Sequence, residues 1–156
     1  MTNFVEKLKD SRSFYSGKGV SLEAIKLAEE KLCLQFSDEY KKYLLLYGIA
    51  SIYGHEFTGL GVNGSLNVID ATNYERSKNS GVPSDYYVVE ELHIDDIVIW
   101  QNHSGDVFQS YADGTWEKKS RSLYDFILED SEDESIVVKQ NKDSSSETNR
   151  SKEKHF

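Results

Sequence analysis

The residue types that bind metals or transfer protons gather between residues 90 and 106 of this 156-residue chain. His93 and Asp95 are two residues apart, so a strand would present both side chains on one face. Neither the adjacent Asp96 nor the more distant His103 completes a recognised metal-ligand spacing with them. We therefore expect no metal site.

Paired carboxylates in the same stretch offer a second kind of chemistry. Glu90 and Glu91, like Asp95 and Asp96, are adjacent in sequence, and neighbouring side chains on a strand point to opposite faces. Such pairs make poor acid and base partners. Residues 59–64 match the pattern G-x-G-x-x-G, but no helical pattern follows, and this indicates a turn-rich connection rather than a nucleotide site. No nucleophile elbow or phosphate-binding loop occurs, so we expect neither catalytic residues nor a cofactor.

The charge of the chain is more informative than these motifs. Between Lys42 and Lys118 the chain carries eleven carboxylates and two cations, and this excess equals the whole net charge of −9. A surface of one sign attracts partners of the other sign and repels nucleic acid and anionic membranes. We therefore expect a basic protein partner, with no nucleic acid and no membrane. The eleven acids are Glu56, Asp70, Glu75, Asp85, Glu90, Glu91, Asp95, Asp96, Asp106, Asp113 and Glu117.

Acids of residues 90–106, together with Glu56, are the candidates for a partner-binding surface. Large rigid rings bury area at low entropic cost, so Trp100, Tyr86, Tyr87 or Trp116 would suit as an aromatic anchor. The alternative is that the acids are solvated faces and turns of a sheet and that the rings pack in the core. The predicted interface consists of Glu56, Glu90, Glu91, Asp95, Asp96, Trp100 and Asp106.

Length and composition indicate one globular domain followed by a tail. The first residues lack the cationic segment and apolar run of a secretory signal, and no apolar stretch approaches the roughly 20 residues of a membrane span. We therefore expect a cytoplasmic protein. Residues 131–156 are rich in Ser, Asn, Lys and Glu, with too little apolar side chain to offset the ordering entropy, and this predicts a disordered polar tail.

Helix signals occupy the first third of the chain. Asn3, Ser21 and Ser37 each precede an amphipathic stretch and can cap its first turn. The helix after Ser37 runs to Gly48, which suits the left-handed end of a helix. A further short helix is predicted over residues 70–78.

Strand signals dominate the middle of the chain. Spaced glycines and short apolar runs in residues 49–64 suggest brief strands, and Asp113-Gly114 is typical of a tight hairpin turn. Clearer predicted strands are residues 86–89, 97–100, 107–111 and 115–117. Ser122 precedes a final apolar helix. The pattern predicts an α+β fold, in which N-terminal helices and a C-terminal helix pack on a central, mainly antiparallel sheet of about four to six strands.

Several of these features occur in the order found in a known family. In sequence they are Ile25, Glu29 and Leu32, FSDEYKKYL at 36–44, Tyr47-Gly48, YYVV at 86–89, GDV at 105–107 and SLYDFI at 122–127. The chain thereby resembles the SUKH superfamily of Smi/Knr-like proteins over residues 1–130. One departure is Phe36-Ser37, where many members have leucine-proline, but a serine still caps the helix.

In bacteria this resemblance implies an immunity protein that binds and neutralises a secreted polymorphic toxin, often a nuclease, without a common catalytic apparatus. Eukaryotic relatives act as interaction modules in signalling and cell-wall assembly. The charge agrees independently, because a nuclease attracts a polyanion and tends to offer a basic cleft that an acidic inhibitor can occupy. A protein- or peptide-binding scaffold unconnected with toxins, or a small hydrolase with a site assembled from distant residues, are the alternatives. The sequence leaves the oligomeric state open.

Overall fold

The computed structural model describes residues 4–9, 14–52 and 54–129. The predicted tail at 131–156 and the proposed cap Asn3 lie outside the described residues. The chain divides after Phe126 into two units, residues 1–126 and 127–156.

The helices begin and end where their capping residues permit. Ser21 accepts a hydrogen bond from the Ala24 amide, and Ser37 accepts one from the Tyr40 amide, so both predicted caps are confirmed. Gly48 ends its helix with a φ of 71°, and a Cβ at this position would lie 2.2 Å from a backbone oxygen. The helices are α1 (Phe4–Lys9), α2 (Leu22–Leu32), α3 (Asp38–Tyr47), a 3₁₀ turn (Gly64–Leu66), α4 (Val68–Lys78) and α5 (123–129).

The fourth helix, α4, starts two residues earlier than its sequence pattern indicated. The side chain of Asn67 accepts hydrogen bonds from the amides of Ile69 (2.8 Å) and Asp70 (3.2 Å), and so caps the helix from position 67. The residues of α4 that are buried, Val68, Ala71, Thr72 and Glu75, recur at three- and four-residue intervals. The inward face of α4 therefore ends on a carboxylic acid.

In the residues that the structure describes, seven short strands form two antiparallel sheets. The first has the order β1 (Tyr15–Ser16), β2 (Ala50–Ile52) and β3 (His55–Phe57). The second is a meander of β4 (Tyr87–Glu91), β5 (Val98–Gln101), β6 (Val107–Ser110) and β7 (Trp116–Ser120). The α+β prediction and its antiparallel pairing are confirmed.

The strands divide between two sheets rather than joining in one central sheet. The Thr58 amide donates to the Val89 carbonyl (2.9 Å), just after the end of β3. The register of β4 then shifts between Val88 and Glu90, at a β-bulge. Because a bulge disrupts the regular ladder of hydrogen bonds, β3 contacts β4 without extending the meander.

Aromatic side chains fill the space between α3 and the sheets. Tyr40, Tyr43, Tyr87 and Phe36 are fully buried, and their rings contact one another with centroids about 5 Å apart. The hydroxyl of Tyr87 accepts a hydrogen bond from the Ser37 amide (2.9 Å) and donates one to Gln101 (2.8 Å). These polar ends are therefore satisfied inside the core.

Candidate protein-binding surface

The connection between β4 and β5 is a tight turn with an acidic tip. The Ile97 amide donates to the Ile94 carbonyl (3.0 Å), and Asp95 and Asp96 between them have φ values of 54° and 56°. Two successive positive φ angles define a type I′ turn, which matches the twist of a hairpin. The turn presents Ile94, which is 62% exposed, beside two exposed carboxylates.

A cleft of about 500 Å³ lies between this hairpin and α4. Helix α4 provides one wall with polar side chains spaced by one turn, and the hairpin provides the other wall. Apolar groups from both elements form the rest of the lining. The lining residues are Gly64, Ser65, Asp70, Ala71, Tyr74, Glu75, Lys78, Glu91, His93, Asp96, Ile97 and Val98.

Two glutamates meet inside the cleft. Glu75 on α4 is only 6% exposed, and Glu91 at the end of β4 is half-buried. The two carboxyl groups share a hydrogen bond. Burial raises the pKa of Glu91 to about 7, with further contributions from the hydrogen bond to Glu75 and from its negative charge. Near neutral pH the pair therefore holds one proton for part of the time.

Lys78 spans the cleft from the last turn of α4. Its ammonium lies 3.7 Å from a carboxylate oxygen of Asp96 and 5.0 Å from the centroid of the Tyr74 ring. The negative charge of Glu75 is the main cause that raises the pKa of Lys78. The cleft thus stabilises a cation at its mouth through a carboxylate and an aromatic face.

The structure brings together three residues of the predicted interface and separates the others. Glu91, Asp95 and Asp96 share the hairpin beside the cleft. Glu56 is exposed on β3, in the other sheet. Asp106 is half-buried and pairs with Lys118 at 3.2 Å.

Two residues of the predicted interface, Glu90 and Trp100, were wrongly expected at the surface. Glu90 is 3% exposed, and its carboxylate oxygens lie 2.8 and 2.9 Å from Nδ1 of His55 on β3. Trp100 is fully buried and donates a hydrogen bond through Nε1 to Ser110 (2.9 Å). The bulge of β4 directs Glu90 towards β3 while Glu91 faces α4, so adjacent acids lie on opposite sides.

The proposed aromatic anchors are mostly core residues. Tyr86 and Tyr87 are buried, while Trp116 is 38% exposed and packs edge-on against the rings of Tyr86 and Phe108. An exposed ring beside the cleft is that of Tyr74, whose side chain is 59% exposed. Tyr74 was not among the residues predicted from the sequence. Its signal was the spacing of Asp70, Tyr74 and Lys78, four residues apart on one face of α4.

Neither metal chemistry nor a membrane span has support among the residues that the structure describes. Within 4–9, 14–52 and 54–129, no three His, Cys, Asp or Glu side chains are grouped so that they could hold a metal ion. Within the same residues, the helices are too short or too polar to cross a bilayer.

A family comparison covers both the cleft and the fold around it. The sequence model of the SUKH_5 family, described as SMI1-KNR4 cell-wall, matches residues 1–132. The chain belongs to the SUKH family. The match includes α4 and the β4–β5 hairpin, so both walls of the cleft lie within the SUKH domain. No curated protein sequence matches the chain.

Proposed function

We propose that this SUKH protein is an immunity protein, which binds a cognate secreted toxin and neutralises it inside the cytoplasm of the bacterium that makes both. The observation that carries the proposal is the acidic cleft beside an exposed hairpin. Four carboxyl groups line the cleft, and Lys78 is the one lysine or arginine among its lining residues. A basic protein surface is the complement of this arrangement.

Acidic groups elsewhere on the second sheet are compensated by the chain's own lysines. Lys118 pairs with Asp106, and Lys119 lies 3.9 Å from Glu117. Such exposed pairs contribute little to stability, but they reduce the local negative field. In the hairpin, Asp96 has a pair of the same kind with Lys78 at 3.7 Å. The negative charge that the hairpin and cleft add beyond this pair comes from Asp70, Asp95 and the two glutamates, Glu75 and Glu91.

The end of the sheet that carries the hairpin gathers further negative charge. Val98 pairs with Ser110, so the β4–β5 and β6–β7 turns leave the sheet at the same end. Asp113 lies in the second of these turns and is exposed, as are Asp95 and Asp96 in the first. A toxin that must attract a nucleic acid offers basic side chains to such a surface.

Inhibition of this kind requires contact and no turnover. An inhibitor that covers a basic cleft blocks substrate without a catalytic residue, a metal or a cofactor, and we propose that the chain is not an enzyme. Ile94 and Tyr74 supply exposed apolar area beside the acids. An interface needs such anchors because charge pairs alone contribute mainly to the association rate and to the specificity of binding, and less to affinity.

Co-expression tests the proposal directly. Each protein encoded by a gene next to that of this chain is produced in a heterologous bacterium with and without the chain, and growth is measured. We expect one such neighbour to arrest growth and this chain to restore it. A control variant that reverses two exposed acids outside the hairpin, Glu30→Lys with Asp85→Lys, should also restore growth. Arrest that persists with soluble wild-type chain present would contradict the proposal.

The family description supports one second candidate. The family description, SMI1-KNR4 cell-wall, names the cell wall and no toxin. It is consistent with a protein-binding scaffold unconnected with toxins, which would use the same acidic end of the sheet. A neighbouring protein that is harmless when expressed alone, but binds this chain, would favour the scaffold over the immunity role.

A further inference from the structure

The cleft between α4 and the β4–β5 hairpin already holds a cation that belongs to the protein itself. The ammonium of Lys78 rests between Asp96 and the ring face of Tyr74. The side chain of Lys78 is 40% exposed and that of Asp96 is 66% exposed, so water competes for this ion pair. Exposed pairs of this kind are weak, and a better-placed cation can replace the lysine.

The lining has more negative groups than Lys78 can neutralise. Asp70, Glu75, Glu91 and Asp96 provide four carboxyl groups, and Glu75 and Glu91 lie close enough to share a hydrogen bond. A planar guanidinium can bridge two carboxylates with parallel hydrogen bonds. The cleft volume of about 500 Å³ also exceeds what one long side chain fills.

We propose that this cleft is a receptor for an arginine or lysine side chain of the partner protein, which enters between Glu75, Glu91 and Tyr74 and displaces Lys78. The inference rests on the proposed function, because it presumes a basic partner protein. It adds the position at which the partner side chain binds. It also identifies Lys78 as an internal competitor that occupies this position and weakens binding. An arginine suits the site better than a lysine because it stacks on tyrosine and pairs in bidentate fashion.

Entry of a cation should release a proton from the glutamate pair. The pKa of Glu91 is raised to about 7 by burial and by Glu75, whereas an adjacent guanidinium favours the ionised form of Glu91. Binding therefore strengthens as pH rises through 7. The other titratable or charged groups in the lining are Asp70, Tyr74, Lys78, His93 and Asp96.

The test uses a capped tripeptide, acetyl-Gly-Arg-Gly-amide, and the same peptide with neutral citrulline in place of arginine. Titration into the full chain is followed by two-dimensional NMR at pH 8.0 and pH 5.5. We expect shifts confined to α4 and residues 91–98, saturating with the arginine peptide alone. Affinity should fall about tenfold at pH 5.5, because Glu91 is then protonated. His93→Asn should retain this pH dependence, whereas Glu91→Gln should remove it.

The proposed displacement of Lys78 by arginine can be tested with a matched pair of variants. Lys78→Ala should raise the affinity for the arginine peptide about fivefold, because a bound competitor is lost. Lys118→Ala removes the same charge beside Asp106, outside the cleft, and should leave the affinity unchanged. Asp96→Asn and Asp85→Asn form a second pair, in which only the first should weaken binding. Unfolding midpoints verify that each variant folds.

Three results would overturn the inference: equal binding of the citrulline peptide, equal effects of Lys78→Ala and Lys118→Ala, or no shifts in the cleft. Growth rescue by the wild-type chain without peptide binding would refute the arginine receptor and leave the immunity role standing. Peptide binding in the cleft without growth rescue would refute the immunity role and support the receptor.

Discussion

At the scale of single residues, the sequence of the β4–β5 turn differs from the residue types that its backbone geometry favours. Asp95 and Asp96 occupy a type I′ turn in which Asn-Gly is the preferred sequence, and His93 before them also has a positive φ of 59°. Aspartate tolerates this region better than most residues, yet glycine would adopt it without cost. Two carboxylates at such positions are expected where charge at the tip matters more than stability.

The glutamate pair predicts how stability changes with pH. The pKa of Glu91 in the folded state, about 7, is above its ordinary value of 4.5, so the folded state binds this proton more tightly than the unfolded state does. The resulting stability is present below about pH 4.5 and is lost as pH rises through 7. After discounting for solvent screening, the loss is about 1 kcal/mol.

Glu91→Gln isolates this contribution. We expect urea denaturation to give equal free energies of unfolding for wild type and variant near pH 4.5, and a variant more stable than wild type at pH 8. Glu56→Gln, at an exposed position on β3, serves as the control and should show a constant difference from wild type. A wild type whose stability relative to Glu91→Gln increases with pH would contradict the arrangement of the pair.

At the scale of elements, a side chain of α3 holds the first turn of α5. The carboxylate of Glu39 accepts hydrogen bonds from the amides of Leu123 (2.7 Å) and Tyr124 (3.0 Å) and from the side chain of Gln101 (2.9 Å). It thus satisfies two of the free amides at the start of a helix and places a negative charge at its positive end. Burial, the largest cause, raises the pKa of Glu39.

Removal of this carboxylate should loosen the helix. We expect Glu39→Ala to lower the free energy of unfolding by about 2 to 3 kcal/mol, because Gln101 and two amides lose their acceptor. Ser122→Ala removes only the local cap of Asp125 and should cost about 1 kcal/mol. Chemical denaturation provides both values, and hydrogen exchange at Leu123 and Tyr124 should accelerate most in Glu39→Ala. Equal losses in the two variants would show that Glu39 does no more than the local cap.

The elements were largely predictable because their signals are local. Ser21, Ser37 and Gly48 act within one turn of their own helices. Residues 97–100, which overlap β5, form a continuous apolar run. The role of Glu39 was not predictable, since its partners lie more than 60 residues away. The two-sheet division depends on the bulge in β4, for which residues 88–90 carry no distinctive sequence signal.

The site was predictable only where its features depend on local sequence. Exposure of Asp95 and Asp96 follows from their polar sequence, but they were treated as strand residues in the sequence-based prediction, whereas they lie in the turn between β4 and β5. Burial of Glu90 required knowledge of His55, which is 35 residues away and in another sheet. The contribution of α4 depends on packing against β4, although Glu75 on the same helix face as Val68 and Ala71 was a usable sign.

At the scale of the whole molecule, folding leaves only part of the negative charge of residues 43–117 exposed at the surface. Eleven acids fall between residues 43 and 117, but Glu75 and Glu90 are buried and others pair with lysines of β7. The remaining exposed charge includes that of the hairpin tip. A field of this kind accelerates association with a basic partner and weakens with salt, since the Debye length shortens from about 10 Å at 0.1 M to about 3 Å at 1 M.

The most direct measurement is the association rate constant between this chain and its purified cognate toxin, at low and high ionic strength. For the variant Asp95→Lys with Asp96→Lys we predict a rate at least about tenfold below that of wild type at low salt, with most of the difference lost at high salt. The control, Glu30→Lys with Asp85→Lys, changes the net charge equally and should associate nearly as fast as wild type. Equal rates for the hairpin variant and wild type at low salt would contradict the central claim that the hairpin and cleft bind the toxin.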